Sequence, residues 1–321
     1  MVSLTSTMLY YRTPRRKYSL HRELALTGDG GNDQVKPAAF KYQRAHEVED
    51  AIEQLKELGD DAKLLAGGQS LVPMMNFRLV RPSALVDITP VPDLRYIEPD
   101  GEGLKIGALT PHRWVEEMED PDLLEGFSVL KRAARWVGHY PIRTIGTFGG
   151  SIAHADPSAE WCMLAALLDA EIVAAGPEGD RVIPASDFFH GFFVTALRPD
   201  EMIVEVRFPR PAPNAALQEF ARRAGDFGIV AAAVAVDLRD GRCSSARIVL
   251  GGVADVPLRI PEAERVLEGA EAGEGAFEEA GQAAAREIDP PSDVHGSADY
   301  RCDLSVVLIR RALTEAVGDA R

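Results

Sequence analysis

The stretch Leu64-Leu65-Ala66-Gly67-Gly68-Gln69-Ser70-Leu71, answered further along by Thr144-Ile145-Gly146-Thr147-Phe148-Gly149-Gly150-Ser151, decides how this chain is to be read. Each segment sets paired glycines beside a small hydroxyl residue. Glycine admits positive φ and lets backbone N–H groups come close to an anion with no Cβ in the way. Successive N–H groups turned into one concavity make an anion nest. Two such nests can neutralise a dinucleotide pyrophosphate without a lysine. A lone Gly-Gly pair equally marks a tight turn, so spacing alone supports a phosphate or dinucleotide site and nothing finer. Neither segment matches GxGxxG or GxxxxGK(S/T), so the Rossmann and P-loop fingerprints are missing.

Working outward, residues 63–66 form a short apolar strand that runs into the first glycine pair. Before it, Val48, Ala51, Ile52, Leu55 and Leu58 recur at helical spacing and Gly59 supplies the stop. Residues 84–88 and 104–109 read as strands, and 114–118 and 123–137 as helices. After the second glycine cluster, Asp156-Pro157 has the pattern of an N-cap followed by proline at the first helical position. The helix it opens, through Leu168, is apolar on most faces and therefore buried. Residues 171–175 and 202–208 read as strands. Pro209, Pro211 and Pro213 mark a linker at 209–215. Beyond it, 230–238 and 246–253 flank Arg239-Asp240-Gly241 as an antiparallel hairpin, and Ala- and Glu-rich helices follow near 261–268, 275–286 and 299–318. The expected organisation is α+β, with a first domain at 35–212 and a smaller sheet-plus-helices domain at 213–321.

Composition narrows the function classes. The chain has 321 residues, 35 Lys+Arg against 50 Asp+Glu, and a net charge of -15. Phosphate-backbone binding needs surplus Lys and Arg, so nucleic acid is not an expected partner. The longest apolar runs, 161–168 and 229–236, fall short of the roughly 20 residues of a membrane helix, so a cytoplasmic protein with no transmembrane segment is expected. Cys162, Cys243 and Cys302 lie far apart with no CxxC, against both a disulfide framework and a cysteine-ligated cluster. Residues 1–34 differ from the rest. They carry Arg12, Arg15, Arg16, Lys17 and Arg22 and end in Gly28-Asp29-Gly30-Gly31-Asn32, and they hold no apolar segment of an export signal. A disordered leader or a mis-assigned start, with native translation beginning at Val35, is the expectation there.

The stretch from Ala66 to Leu79, Ala-Gly-Gly-Gln-Ser-Leu-Val-Pro-Met-Met-Asn-Phe-Arg-Leu, resembles the first FAD loop of the flavoprotein (medium) subunit of molybdenum hydroxylases. That group includes the aerobic carbon monoxide dehydrogenase medium subunit and the FAD domain of xanthine dehydrogenase. Gly146 to Pro157 resembles the family's second FAD signature. Arg222-Arg223-Ala224-Gly225-Asp226-Phe227 and Asp289-Pro290-Pro291-Ser292-Asp293-Val294-His295 resemble parts of its C-terminal domain. The likeness runs in order from about residue 36 to 318.

The resemblance implies a two-part FAD-binding domain of the vanillyl-alcohol oxidase (PCMH) type, followed by a three-stranded antiparallel sheet and a small helical bundle. It implies FAD as cofactor, held non-covalently. Leu65, Ala66, Gly67, Gly68, Gln69, Ser70 and Leu71, with Thr147, Phe148, Gly149, Gly150 and Ser151, would wrap the pyrophosphate through backbone N–H groups. Glu160 would meet cofactor hydroxyls, and Val137 and Ile203 would line the flavin. It implies no catalytic residue and no metal in this chain, since three scattered cysteines cannot supply an iron–sulfur cluster's usual four ligands. The implied partners are a large molybdopterin-binding subunit and a small 2Fe–2S subunit, as a dimer of heterotrimers. Electrons would pass from the clusters through FAD to a terminal acceptor. The alternative is a sensor or regulatory protein that binds FAD or another nucleotide without turnover. One departure stands out: Phe192 and Phe193 occupy a stretch where relatives often carry tyrosine, and phenylalanine cannot donate a hydrogen bond. His154, Asp156, Trp136, His295 and the Arg222, Arg223, Asp226 group read first as structural residues.

Overall fold

The computed structural model describes residues 36–318, so the expectation for the leader lies outside the described residues. The described residues open with β1 (Lys41–Arg44), α1 (Val48–Leu58), β2 (Ala62–Leu65), α2 (Leu71–Asn76) and β3 (Ala84–Asp87). Helix α1 buries Ala51 and Leu55, and stops where Gly59 takes φ 80° and its N–H reaches the Leu55 carbonyl at 3.0 Å. The strands form a parallel sheet in the order β1-β3-β2, with Leu65 opposite Asp87. β2, which leads into the first glycine pair, and acidic β3 therefore end on the same edge.

Next come β4 (Ile97–Asp100), β5 (Gly103–Gly107), α3 (His112–Glu116), α4 (Pro121–Ala133), α5 (Tyr140–Ile145), α6 (Phe148–His154) and α7 (Glu160–Leu167). They are followed by β6 (Glu171–Gly176), β7 (Gly179–Pro184), β8 (Phe189–Gly191), β9 (Val194–Thr195) and β10 (Met202–Phe208). Five of these strands pair antiparallel in the order β4-β5-β10-β6-β7, while β8 and β9 make a separate hairpin. The remainder is β11 (Ala215–Phe220), β12 (Val230–Arg239), β13 (Arg242–Gly251), β14 (Leu258–Arg259), α8 (Pro261–Leu267), α9 (Glu274–Glu287) and α10 (Ala298–Gly318).

Helix α7 is apolar on every face because it is covered on every face. Its Trp161, Cys162, Met163, Leu164, Ala165 and Leu167 are fully buried in one core that also takes Ile172, Val206 and Phe208 from the five-stranded sheet. Ala231, Ala233, Ala235 and Val249 close the same core from the C-terminal sheet. The other face of β12 (Val230, Ala232, Val234, Val236) packs on α10, in a second core that α8 and α9 complete. A strand buried on both faces reads as a continuous apolar run, which is what 230–236 shows. Among the described residues no helix is long and apolar enough to cross a membrane.

Four sequence expectations need correcting. The helix expected after Asp156 starts at Glu160 instead: the Asp156 carboxylate accepts from the Ser158 amide at 2.9 Å, and this turn consumes Pro157 before the helix begins. The helix expected over 123–137 ends at Ala133, with Phe127 already off helical geometry at φ -132°. The C-terminal sheet has four strands, because two-residue β14 pairs with β13 through Val249 and Arg259. The second glycine cluster is no open loop; it forms the first turn of α6.

Candidate cofactor site

The first glycine segment leaves β2 at the carboxyl edge of the parallel sheet, where open α/β sheets bind ligands. Gly68 takes φ 68°, a left-handed conformation that a side chain would strain. Gly67 is there for space: a Cβ on it would lie 2.4 Å from the Ile145 carbonyl oxygen and 2.7 Å from Gly146 Cα. The two glycine segments thus touch backbone to backbone. Among the described residues, the amides of Gly67, Gly68, Gln69 and Ser70 donate to no backbone carbonyl, while Gln69 Nε2 donates to the Gly67 carbonyl at 3.0 Å. Residues 65–69, with Val72, Pro73, Asn76, Asp87 and Thr89, line a cavity of about 420 Å³.

Asp87 forms the acidic wall of this cavity and is nearly buried. Burial pushes its carboxyl up, but donors from Thr89 and Tyr42 outweigh this and the pKa is lowered. The Thr89 amide and hydroxyl reach it at 2.9 and 2.6 Å, and Tyr42 donates from β1. With this acceptor saturated by protein donors, the carboxylate is held still beside the amides. Asp87 and Thr89 were missed in the sequence, where Asp87 looks only like the end of a strand.

The second segment behaves differently from the expectation. Thr147 caps α6, its Oγ1 accepting from the Gly150 amide at 3.2 Å. The Phe148 amide goes to Thr110 O and the Gly149 amide to Ala108 O, both at 2.9 Å, and the Ser151 amide goes to Thr147 O at 3.0 Å. Four of the amides expected to wrap a pyrophosphate are therefore committed inside the protein. These glycines serve close packing: a Cβ on Gly149 would lie 2.6 Å from Ala108 Cβ, and one on Gly146 would lie 2.7 Å from His112 Nε2.

His112 is the buried foundation of this segment, and sequence reasoning missed it because its partners are remote. Trp161 Nε1 donates to His112 Nδ1 at 2.9 Å, which makes the ring neutral with its proton on Nε2. Burial first, and the positive Arg143 second, lower its pKa to about 4. Its own amide holds the Gly146 carbonyl at 3.2 Å.

The remaining expected residues do not line the cavity. Val137 and Ile203 are buried in the central core, Ile203 on β10 opposite Ala174. Glu160, the first residue of α7, is buried, and its charge is felt by Glu219 of β11. Burial and then the neighbouring Asp156 raise the Glu160 pKa; burial and then Glu160 raise that of Glu219. Glu219 Oε2 is buried without a hydrogen-bond partner, which likewise favours the neutral carboxyl. Phe193, with φ 58°, stacks on His154 at 4.7 Å between ring centroids, and Phe192 and Phe193 both stay half exposed on the β8–β9 hairpin.

A glycine-lined cradle that a Cβ would fill, with unspent amides on its wall, suits the pyrophosphate of a dinucleotide such as FAD. Comparison with known proteins agrees. Residues 38–211 match the FAD binding domain in molybdopterin dehydrogenase, and residues 215–316 match the CO dehydrogenase flavoprotein C-terminal domain. The chain belongs to this family of FAD-binding oxidoreductase subunits, and FAD is its cofactor. Among its relatives, the 6-hydroxypseudooxynicotine dehydrogenase complex subunit alpha of Paenarthrobacter nicotinovorans is 41% identical over 290 residues, 89% of this chain and 97% of that protein. The carbon monoxide dehydrogenase medium chain of Hydrogenophaga pseudoflava is 35% identical over 87% of this chain and 98% of its own length. Among solved structures, quinoline 2-oxidoreductase from Pseudomonas putida 86 superposes with a TM-score of 0.84 at 36% identity, covering 89% of this chain and 100% of that one.

Proposed function

We propose that this chain is the flavoprotein, or medium, subunit of a molybdenum-containing hydroxylase assembled as a dimer of heterotrimers. Electrons withdrawn from substrate at a large molybdopterin-binding subunit reach it by way of 2Fe–2S clusters on a small subunit and leave it to a terminal acceptor. The observation that carries this reading is the run of unspent amides over Gly67–Ser70, pressed against Gly146 beside an open cavity. The names of relatives support the assembly: they are a medium chain of carbon monoxide dehydrogenase and a subunit of a dehydrogenase complex. When bound, FAD supplies the redox chemistry that side chains lack.

The chain's own residues hold and orient. Gly67 to Ser70 present amides to the pyrophosphate, Asp87 fixes the edge of the cavity through its bonds to Thr89, and α6 backs the cradle. Substrate choice belongs to the large partner. Purification of the chain with its neighbours on the chromosome tests the proposal. A complex carrying molybdopterin, iron and FAD, whose flavin bleaches on addition of an oxidisable substrate, is the expected result. A chain that keeps FAD yet co-purifies with no iron–sulfur or molybdopterin protein, and whose locus encodes neither, overturns it.

A further inference from the structure

Helix α5 presents a puzzle of attachment. It runs directly into Gly146 and carries the Ile145 carbonyl that meets Gly67, so its position sets the seam between the two glycine segments. Yet none of its six residues is buried. Burial of apolar surface, the usual anchor of a helix, is slight here: Ile142 is only half-buried and Ile145 is exposed. Polar ties replace it. Arg143 Nε donates to Glu116 Oε2 of α3 at 2.8 Å, and the other side of the guanidinium donates to the Gly138 carbonyl at 2.8 Å and the Val137 carbonyl at 3.4 Å. Arg113 of α3 adds a hydrogen bond to the Tyr140 hydroxyl at 2.5 Å and lies over its ring at 5.2 Å.

We infer that Arg143 is a positioning residue of the cofactor cradle, its guanidinium fixing α5 so that Ile145 and Gly146 stand at contact distance from Gly67. Three features carry this. The Arg143–Glu116 pair is mostly shielded from water, with side-chain exposures of 14% and 23%, so its hydrogen bonds keep their strength. Its fork engages a carboxylate on one side and two carbonyls on the other, which a lysine ammonium cannot reproduce. Gly138, whose carbonyl it holds, takes φ 51° and would meet Ile142 of α5 within 3.0 Å if it bore a Cβ, so the turn after α4 and helix α5 are locked as one piece. The arginine thus ties α3, that turn and α5 together on the far side of the seam from Gly67.

The inference rests on the cradle assigned to Gly67–Ser70 in the proposed function, and its test is arranged to separate the two. FAD affinity is measured by titrating flavin-stripped protein and reading flavin fluorescence, with melting temperature and the visible flavin spectrum followed alongside. Arg143→Ala is expected to weaken FAD binding about tenfold or more, and Arg143→Lys to fall in between. Arg247→Ala is the control: Arg247 pairs with Asp169 at 3.0 Å, is comparably shielded and lies outside the cradle. It should cost similar thermal stability and leave FAD affinity unchanged. Gly67→Ala runs in parallel. If Gly67→Ala weakens FAD binding and Arg143→Ala does not, the cradle stands and the role of Arg143 is refuted. If Arg247→Ala weakens binding as much as Arg143→Ala, the effect is general destabilisation and the inference also falls. If neither Gly67→Ala nor Arg143→Ala changes affinity, the cradle itself is misplaced and the inference goes with it.

Discussion

Replacing Gly67 by alanine adds one methyl group at the point where the two glycine segments meet. That methyl carbon would stand 2.4 Å from the Ile145 carbonyl oxygen, 2.7 Å from Gly146 Cα and 3.0 Å from Ile145 C. Carbon contacts settle near 3.5–4.0 Å, so the segments must part by about 1 Å. All three obstructing atoms are backbone, and none can rotate aside. Overpacking of this kind costs about 1–3 kcal/mol. Which part of the protein yields decides where that cost appears. The first segment is continuous with β2, paired in the parallel sheet, whereas α5 has no fully buried residue and hangs mainly on its polar ties. The seam should therefore open at α5, and FAD affinity should fall roughly 10- to 100-fold at about 1.4 kcal/mol per decade. Gly150→Ala makes the comparison sharp. Its methyl would crowd the Thr147 hydroxyl alone, at 2.6 Å, with Ala66 Cβ and Thr147 Cβ at an ordinary 3.9 Å, and costs the cap bond, about 1 kcal/mol. Flavin content after gel filtration and a fluorescence titration of each variant read the difference. Wild-type FAD affinity in Gly67→Ala, or a larger loss in Gly150→Ala than in Gly67→Ala, would refute the close-approach argument.

Two further outcomes are expected. Glu219 has its pKa raised in the folded state, by burial and by Glu160, so above the unfolded value of about 4.3 the native protein holds a proton that the unfolded chain releases. Stability should then decline as pH rises past that value, and Glu219→Gln, which needs no proton, should flatten the decline. Melting temperatures from pH 5 to 9 check this, and parallel slopes for the two proteins would count against it. His112→Leu leaves the Trp161 indole N–H without its acceptor in a closed core, a loss of about 1–3 kcal/mol. It should lower the melting temperature by several degrees and weaken FAD binding through Gly146, and an unchanged melting curve contradicts the assignment.

The parts of the fold that were legible in the sequence are those fixed by local chemistry or by a strong period. Strand β10 spans the residues expected, because Met202 to Phe208 is bounded by turn residues and Pro209. Helix α1 follows from its spacing and from Gly59, and the long hairpin of β12 and β13 from its apolar runs around Asp240-Gly241. Where local signals mislead, tertiary partners have overridden them. Asp156-Pro157 has the composition of a helix start, yet the aspartate turns back onto Ser158 and α7 opens three residues later at Glu160. Phe148-Gly149-Gly150-Ser151 has the composition of a loop, since two glycines in one turn oppose a helix. It is helical because Thr147 caps it and the backbone of Ala108 and Thr110 takes up its first amides.

The candidate site divides along the same line, and glycine explains why. A glycine is required wherever backbone must come close to something, but the sequence does not say whether that something is a ligand or another part of the chain. At Gly67 and Gly68 the neighbouring amides are left unspent beside a cavity, so the segment can still receive an anion. At Gly149 and Gly150 the same residue type is used up by Ala108 and Thr147. Two segments that look alike in the sequence therefore do opposite things: one keeps its donors free, and the other spends them to build the surface on which the first is held. His112 and Arg143 were invisible for a related reason. Each acts through a partner 27 to 49 residues away, Glu116 for the arginine and Trp161 for the histidine, and only the folded chain brings those pairs to either side of Gly146. The donors left free beside the cavity are thus written in adjacent residues, while what holds them in place is written in contacts across the fold.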